Sequence, residues 1–291
     1  MASNLNRWIF RQTSRLVRFF YTRLMVGYLG WRYRGYLDQP RAFCLFLGYP
    51  RSGHTLIGAL LNAHPEMCIA HELNVLKYLR RGHSRRNLYA KLIGRDKWFA
   101  TLNYRWSGYS YRVPGQWQGS FRELKVIGDK RGGRTSREIY HHPERLDQLR
   151  QTTGIPVKII HIIRNPFDNI ATRARGGNDK DQPVDPEMLQ NEIDRHFREV
   201  EAIHHIRSMN SYQIYELRHE DFIEYPQKYL AGMCRFLGVE PYSDYLEDAG
   251  RIVRKSSHKS RHKIKWPRQA IDEVNQRMGP YDFLKGYRFE E

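Results

Sequence analysis

From residue 42 onward, short apolar runs alternate with segments that have the hydrophobic spacing of helices, and this alternation constrains the fold most. Such alternation is typical of a three-layer α/β domain around a parallel sheet, here of about five strands. The predicted strands are Phe43–Leu47, Met67–Ala70, Leu124–Ile127, Val157–Ile163 and Tyr212–Leu217. The predicted helices are Thr55–Asn62, Leu73–Arg81, Pro143–Thr152, Pro166–Ala174 and Pro186–Ser208, and residues 101–120 are predicted to form an irregular loop.

Most of the predicted strands lead directly into ionisable residues. In an open parallel sheet the carboxyl ends of the strands lie at one edge, and ligands bind in the crevice there. We therefore expect residues that are distant in the chain to line one crevice. They are Arg51 after the first strand, His71 and Glu72 after the second, Asp129 and Lys130 after the third, and Arg164 after the fourth.

The segment between the first strand and the first helix, Gly48 to Thr55, reads Gly-Tyr-Pro-Arg-Ser-Gly-His-Thr. A glycine-rich loop before a helix points backbone N–H groups and the helix N-terminus at an anion, so it suits a phosphate. The spacing matches the Walker A motif, except that His54 stands where that motif requires lysine. The positive charge lies inside the loop instead, at Arg51. The sequence therefore predicts a phosphate site that differs from the usual ATP site.

The charge of the chain also indicates an anionic partner. Lys and Arg number 49 against 31 Asp and Glu, which gives a formal net charge of +18 and favours polyphosphates, nucleic acid or acidic membrane. A P-loop kinase or NTPase is one alternative, with Val126 to Asp129 as a weak Walker B motif, but the Walker lysine is missing. A nucleic-acid-binding protein is another, yet no predicted strand interleaves aromatic and basic residues. We expect an anionic cofactor and no nucleic acid.

Residues 1–41 are predicted to form a basic amphipathic helix that precedes the main domain, residues 42–291. The segment is too interrupted by charge to span a bilayer, which needs about 20 mostly apolar residues. On a helix, Arg7, Arg11, Arg15 and Arg18 share one face and apolar side chains lie on the other. Two interpretations stay open: residues 1–36 contact an anionic membrane peripherally, or the helix packs on the domain with a solvated arginine stripe.

The cysteines and histidines do not indicate a disulfide framework or a metal site. Cys44, Cys68 and Cys234 are odd in number, far apart and surrounded by apolar residues, which favours a reducing compartment and a cytoplasmic location, at the membrane surface if the first helix binds there. His258 and His262 have helical spacing but no accompanying third ligand, so we predict no metal.

Two segments resemble the sulfotransferases that use 3′-phosphoadenosine 5′-phosphosulfate (PAPS). Tyr49 to Thr55 is similar to that family's loop for the 5′-phosphosulfate, and Arg164 to Thr172 is similar to its motif for the 3′-phosphate. Residues 220–222 and 236–239 resemble a late segment of the same family. The arginine in the loop is closest to carbohydrate, protein-tyrosine and bacterial sulfotransferases. The resemblance covers roughly residues 43–290 and implies a P-loop-like sulfotransferase fold.

The resemblance also implies which residues bind PAPS and its product, 3′-phosphoadenosine 5′-phosphate (PAP). A late basic segment between Gly250 and Ile271 is expected to close over the nucleotide. The 5′-phosphosulfate is expected on Arg51, Ser52, Gly53, His54 and Thr55, the 3′-phosphate on Arg164 and Thr172, and further contacts on Ser256 or Ser257, Arg261 and Lys265.

Sulfuryl transfer needs positive charge around the donor and a base for the acceptor's proton. Arg51 and Lys130 are expected to supply the charge, although Lys130 could instead pair with its neighbour Asp129. Glu72 is the predicted base, because related enzymes use a glutamate there, and His71 is its rival. The acceptor, a small molecule, carbohydrate or peptide with a hydroxyl or amine, and the oligomeric state are not readable from the sequence.

Overall fold

The structure is a computed structural model that describes residues 23–176, 184–254, 256 and 258–290. A helix over residues 23–32 is named α1. The strands are β1 Ala42–Gly48, β2 Met67–His71, β3 Arg105–Trp106, β4 Tyr109–Ser110, β5 Val126–Lys130, β6 Val157–Ile163 and β7 Gln213–Arg218. The other helices are α2 His54–Leu61, α3 Val75–Leu79, α4 Arg85–Thr101, α5 Gly132–His141, α6 Glu144–Thr153, α7 Pro166–Ala174, α8 Pro186–Ser208, α9 His219–Glu224, α10 Pro226–Leu237, α11 Ser243–Arg251 and α12 Arg268–Met278.

A parallel sheet of five strands, in the order β2-β5-β1-β6-β7, forms the centre of the fold. Leu45 in β1 pairs with Asp129 in β5 on one side and with Ile159 in β6 on the other. Every residue of β1 is buried, as expected for a parallel strand covered on both faces. The α/β class and the central parallel sheet predicted from the sequence are confirmed, together with the P-loop-like arrangement of strand, loop and helix at β1.

Helices cover both faces of the sheet because alternate β1 side chains point to opposite sides. Cys44 and Phe46 pack in a core with side chains from α2, α10 and α11. Phe43 and Leu45 pack in a second core with side chains from α3, α4 and α6. Cys44, Cys68 and Cys234 are free and buried, and burial raises the pKa of each thiol.

The third predicted strand was placed too early. The strand is Val126–Lys130, so Asp129 and Lys130 are its last residues rather than the first residues after it. Helix α5 was missed because it begins with Gly132 and Gly133, and glycine is a poor helix former. Helix α4 and helices α9 to α12 were not predicted either. Within 101–120, predicted as irregular, β3 and β4 form a short antiparallel hairpin.

Residues 1–22 of the predicted N-terminal helix, with their arginine face, lie outside the described residues. In α1, Leu29 and Gly30 are buried against Gly94 and Arg86 of α4. The opposite side of α1 exposes apolar side chains: Leu24 is 73%, Tyr28 54% and Trp31 57% exposed. Among the helices of the described ranges, none has the length and apolar character needed to cross a bilayer.

Candidate active site

A cavity of about 650 Å³ opens at the carboxyl edge of the sheet. Its walls come from the segments after β1, β2, β5 and β6, from the β3–β4 hairpin and from the late basic segment. Among the described residues of its lining, Glu72 is the single carboxylate. The cavity is therefore suited to a polyanion. Its cationic side chains are Arg51, Lys130, Arg131, Arg134, Arg137, Arg164 and Arg254.

The loop after β1 has the backbone of an anion cradle. Arg51 (φ 72°) and Gly53 (φ 88°) both have left-handed backbone conformations, and α2 begins immediately afterwards at His54. A Cβ at position 53 would collide with the ring of His219, so glycine is required there. Arg51 is exposed at the cavity wall. The loop and the first residues of α2 line the cavity, and their binding of an anion stays a prediction.

Two predicted ligands in this loop instead hold its shape. The Nε2 atom of His54 lies 3.0 Å from the Leu47 carbonyl oxygen. Burial lowers the pKa of His54 to about 4, so the ring is neutral at pH 7 and donates to that carbonyl. Ser52 is buried, and its hydroxyl accepts a hydrogen bond from Asn169 Nδ2 at 3.1 Å. His54 does line the cavity, whereas Ser52 is not part of its wall.

Lys130 is held in the cavity wall by two partners from different strand ends. Its Nζ donates to Thr55 Oγ1 at 2.9 Å and to Glu72 Oε1 at 3.0 Å. Burial lowers the pKa of Lys130, and the Glu72 carboxylate partly offsets this. A Cβ at Gly58 of α2 would collide with the Lys130 stem, so that glycine makes room for the lysine.

The alternative pairing of Lys130 with Asp129 is wrong. The Asp129 carboxylate accepts backbone N–H bonds from Leu73 at 2.9 Å and from Val75 at 2.7 Å. Asp129 therefore anchors the turn that leads from β2 into α3. Both of its oxygens accept backbone N–H bonds there, which gives Asp129 a structural role and does not favour a Walker B site.

Glu72 occupies the position expected of a base. It lines the cavity, its side chain is 38% exposed, and its backbone is left-handed with φ 54°. Such a conformation costs energy in a non-glycine residue and often marks a functional position. Burial opposes ionisation of Glu72, but the ammonium of Lys130 outweighs this and lowers the pKa. Glu72 is therefore a carboxylate at neutral pH, able to accept a proton.

His71, the rival base, lies behind the wall of the cavity. Its ring is buried and stacked on Phe99 with centroids 4.0 Å apart, and Trp106 covers it edge-on. Burial lowers the pKa of His71 to about 3. His71 is the last residue of β2 and is buried, whereas Glu72, the first residue after the strand, lines the cavity.

Arg164 links two parts of the cavity wall. Its guanidinium donates to the Arg51 carbonyl and to the His258 carbonyl, both at 2.6 Å. The Nε of Arg164 is buried and has no hydrogen-bond partner within the described ranges. The expected phosphate-binding arginine thus reaches the cavity and ties the loop after β1 to the late basic segment.

Several other residues that were predicted to bind PAPS do not line the cavity. Thr172 is buried in α7, and its hydroxyl donates to the Asp168 carbonyl at 2.7 Å. Arg261 is buried and pairs with the Asp168 carboxylate at 2.6 Å, so both residues stabilise α7. Lys265 is exposed and does not line the cavity, whereas Ser256 does. Ser257 lies outside the described residues.

Several cavity residues were not singled out from the sequence. Arg134 and Arg137 lie three residues apart on α5, and this spacing could have revealed a basic face if the helix had been recognised. Tyr109 belongs to the β3–β4 hairpin, and the Arg254 guanidinium lies 4.6 Å from the centre of its ring. His219 follows β7 directly, at the same edge of the sheet.

Metal ligation is not indicated by side-chain clusters. No group of three or more His, Cys, Asp or Glu side chains that could hold a metal ion occurs within the ranges described.

The chain was compared with known proteins. Residues 45–244 match the sequence model of the sulfotransferase family, and a comparison with curated protein sequences gave no match. The sulfotransferase domain of the Synechococcus PCC 7002 olefin synthase is similar at 20% identity, over 84% of this chain and 95% of that chain, with a TM-score of 0.48. A Mycobacterium avium sulfotransferase is similar at 10% identity over 89% and 82% (TM-score 0.47). A mouse sulfotransferase complexed with PAP is similar at 14% identity over 85% and 89% (TM-score 0.46).

Proposed function

The chain belongs to the sulfotransferase family, and we propose that it transfers a sulfuryl group from PAPS to a hydroxyl or amine of its acceptor. One observation carries the proposal most directly. A strongly cationic cavity contains a single described carboxylate, Glu72. Lys130 binds that carboxylate at 3.0 Å and also binds Thr55, which follows the glycine-rich loop. Sulfuryl transfer needs cations around the donor and one base for the acceptor.

The walls of the cavity offer a complementary group for each part of the donor. The loop after β1 and Arg51 suit the 5′-phosphosulfate, because backbone N–H groups and a cation meet there. Arg164 suits the 3′-phosphate, since its buried Nε is unpaired among the described residues. Leu56, Ile223 and Ile252 form an apolar part of the wall that suits the adenine ring.

Glu72 and Lys130 would share the transfer step. As the acceptor oxygen forms its bond to sulfur, Glu72 takes the acceptor's proton. The bond between sulfur and the 5′-phosphate oxygen breaks, and its electron pair stays on that oxygen, so that PAP leaves. Lys130 lies within reach of both Thr55 and Glu72 and stabilises the negative charge that develops on the leaving oxygen.

A kinase or NTPase is the less suitable alternative. The Walker lysine is replaced by a neutral, buried histidine, and the Asp129 carboxylate is occupied by two backbone N–H groups. Neither feature favours binding of a nucleoside triphosphate with Mg²⁺.

Thermal unfolding with added ligands tests the proposal. PAP at one hundred times its Kd should stabilise the fold by about 2.7 kcal/mol, whereas ATP with Mg²⁺ and single-stranded DNA should stabilise it much less. A larger shift with ATP and Mg²⁺ than with PAP would support the kinase alternative, and a larger shift with DNA would support nucleic-acid binding. Either result would contradict PAPS as the donor.

A further inference from the structure

The turn that carries Glu72 has a strained backbone. Glu72 has φ 54° and Asn74 has φ 66°, and both angles lie in the left-handed region, which costs energy in residues other than glycine. Such a conformation persists only where the surrounding contacts hold it in place. The contacts around this turn therefore show what fixes the backbone of the proposed base.

The buried carboxylate of Asp129 holds the turn on one side. It accepts backbone N–H bonds from Leu73 at 2.9 Å and from Val75 at 2.7 Å, the residues on either side of Asn74. The Leu73 N–H belongs to the peptide group that links residues 72 and 73. Asp129 therefore fixes the peptide plane that follows the Cα atom of Glu72.

Two guanidinium groups bind carbonyl oxygens of the same turn. The Nε of Arg95 donates to the His71 carbonyl at 2.6 Å, and Arg131 donates to the Glu72 carbonyl at 3.3 Å. Arg95 is itself placed by Trp98, since its guanidinium carbon lies 3.8 Å from the centre of that ring. The His71 carbonyl belongs to the peptide group that precedes the Glu72 Cα atom. Side chains thus hold both peptide planes that meet at this atom, and the two planes define φ and ψ of Glu72.

Consecutive residues of β5 hold different parts of Glu72. Lys130 binds its carboxylate at 3.0 Å, whereas Asp129 binds the backbone that follows it. Adjacent residues of a strand point to opposite faces of the sheet, so β5 provides one contact from each face. Because the two peptide planes determine where the Cβ atom points, the backbone contacts also direct the carboxylate of Glu72 towards Lys130.

We propose that Asp129, Arg95 and Arg131 are positioning residues, which keep Glu72 in its left-handed conformation and thereby place its carboxylate for proton transfer. The inference rests on the proposed function, because the proton transfer assumes that Glu72 is the base. The hold on the backbone does not depend on that assumption. A misplacement of about 1 Å can reduce catalysis by about 10²-fold, so the loss of one backbone contact should be visible in the turnover.

The first test measures the conformation of residue 72 by thermal unfolding of the full chain. Glu72→Gly and Glu72→Ala both remove the contact with Lys130, but only glycine adopts a positive φ without strain. We expect the glycine variant to have the higher Tm while Asp129 is present. Asp129→Asn leaves a single acceptor oxygen for two N–H groups. In this background the turn should relax, and the alanine variant should equal or exceed the glycine variant in Tm.

Glu66→Gln is the matched control, because Glu66 is a buried carboxylate directly before β2, at the opposite end of the strand, and pairs with Lys125 at 2.6 Å. The advantage of glycine over alanine should persist in this background. If it persists with Asp129→Asn as well, or if alanine gives the higher Tm while Asp129 is present, Asp129 does not hold the strained conformation. Arg131→Gln takes the place of Asp129→Asn in the comparison if the latter variant does not fold.

The second test separates positioning from a purely structural role. Transfer from labelled PAPS is measured with the best acceptor among 4-nitrophenol, methyl β-D-glucoside and benzylamine. Asp129→Asn should lower kcat per folded molecule by roughly 10- to 100-fold with an unchanged KM for PAPS. It should cause little further loss in the Glu72→Gln background, because both changes act through the same carboxylate. Glu66→Gln should lower Tm but keep kcat per folded molecule.

An unchanged kcat in the Asp129→Asn variant, or a further loss of full size in the Glu72→Gln background, would overturn the inference. If PAP causes no thermal shift in the wild type, the proposed function fails instead, and the comparison of glycine with alanine still decides whether the backbone is held. If none of the three probes is sulfated, that comparison decides the inference alone.

Discussion

The ammonium of Lys130 lies 3.0 Å from a carboxylate oxygen of Glu72, although the two residues are 58 positions apart in the chain. β2 and β5 are neighbours in the sheet, and the register pairs His71 with Lys130. Lys130 and the proposed base therefore meet directly at the strand ends. Burial raises the pKa of Glu72, and the Lys130 ammonium is the main group that lowers it.

Replacing Glu72 by glutamine should reduce turnover by about 10²- to 10⁴-fold, because a positioned base is lost while size and hydrogen bonding are kept. Binding of PAP should change little, since the proposal has the Glu72 carboxylate facing the acceptor and not the phosphates of PAP. Labelled-sulfate transfer to the best wild-type acceptor and PAP thermal shifts measure the two effects. His71→Asn is the comparison: it should lower Tm through the lost stacking on Phe99 but leave turnover per folded molecule close to wild type. The opposite pattern would make His71 the base.

Lys130→Met should move the acid limb of the pH–activity profile to higher pH. Lys130 lowers the pKa of Glu72, and burial raises it, so without the lysine the raising effect prevails. The carboxylate would then become protonated, and inactive as a base, at a higher pH than in the wild type. Profiles of kcat/KM between about pH 4 and 8 measure the shift. Thr55→Val removes the other partner of Lys130 without changing charge, so its acid limb should stay in place. If the acid limb of the profile does not move in the Lys130 variant, Lys130 does not control the pKa of the catalytic base.

Arg164→Ala should remove most of the thermal shift caused by PAP. The change deletes a charge-assisted contact to the 3′-phosphate and the link between the Arg51 and His258 carbonyls. Arg164→Lys should give an intermediate loss, since lysine keeps the charge but cannot donate in several fixed directions. Isothermal titration with PAP measures both variants. Arg198→Ala is the control, and equal PAP affinity in all three variants would exclude Arg164 from the donor site.

Contact of residues 1–36 with an anionic membrane stays a prediction. The exposed side of α1 indicates which residues would make this contact. Tyr28 and Trp31 suit the interface between lipid headgroups and acyl chains. The full chain should sediment with vesicles of phosphatidylserine and phosphatidylcholine, but not with phosphatidylcholine alone. About 0.5 M salt should weaken this binding, because it screens charges beyond a few ångströms.

A double variant, Tyr28→Ser with Trp31→Ser, should reduce this sedimentation. Trp117→Ser with Tyr225→Ser, two exposed aromatic residues elsewhere, serves as the matched control. If both variants bind vesicles equally well, Tyr28 and Trp31 do not contact the membrane, and another protein or another part of this chain would cover them.

The sequence predicted those strands, helices and loops that are marked by a pattern of neighbouring residues. Strand β1 is a continuous apolar run, β6 is apolar apart from Lys158 and His161, and helices α7 and α8 begin at prolines, so their positions were predicted closely. The glycine-rich loop identified the anion cradle. Because parallel strands end at one edge, Arg51, Glu72, Lys130 and Arg164 were predicted to share one crevice, and they line the same cavity.

The remaining errors arose where contacts depend on tertiary structure. Asp129 and Lys130 are adjacent in β5, and adjacent strand residues point to opposite faces, so a pairing between them could have been rejected from the sequence once the strand was placed correctly. The role of Arg261 could not, because its partner Asp168 is 93 residues away in the chain. The Thr172 contact is local, since its hydroxyl donates to the carbonyl four residues earlier in α7. Burial of His71 behind Trp106 depends on a hairpin that the sequence did not predict.

The free cysteines in β1, β2 and α10 can serve as built-in probes of local unfolding. Each thiol is buried with a raised pKa, and alkylating reagents attack exposed thiolates, so labelling reports the moment at which a region opens. Cys68 and Cys234 lie on opposite faces of the sheet. Mass spectrometry of pulse-labelled peptides can thus tell which layer separates first, without adding a reporter group to the protein.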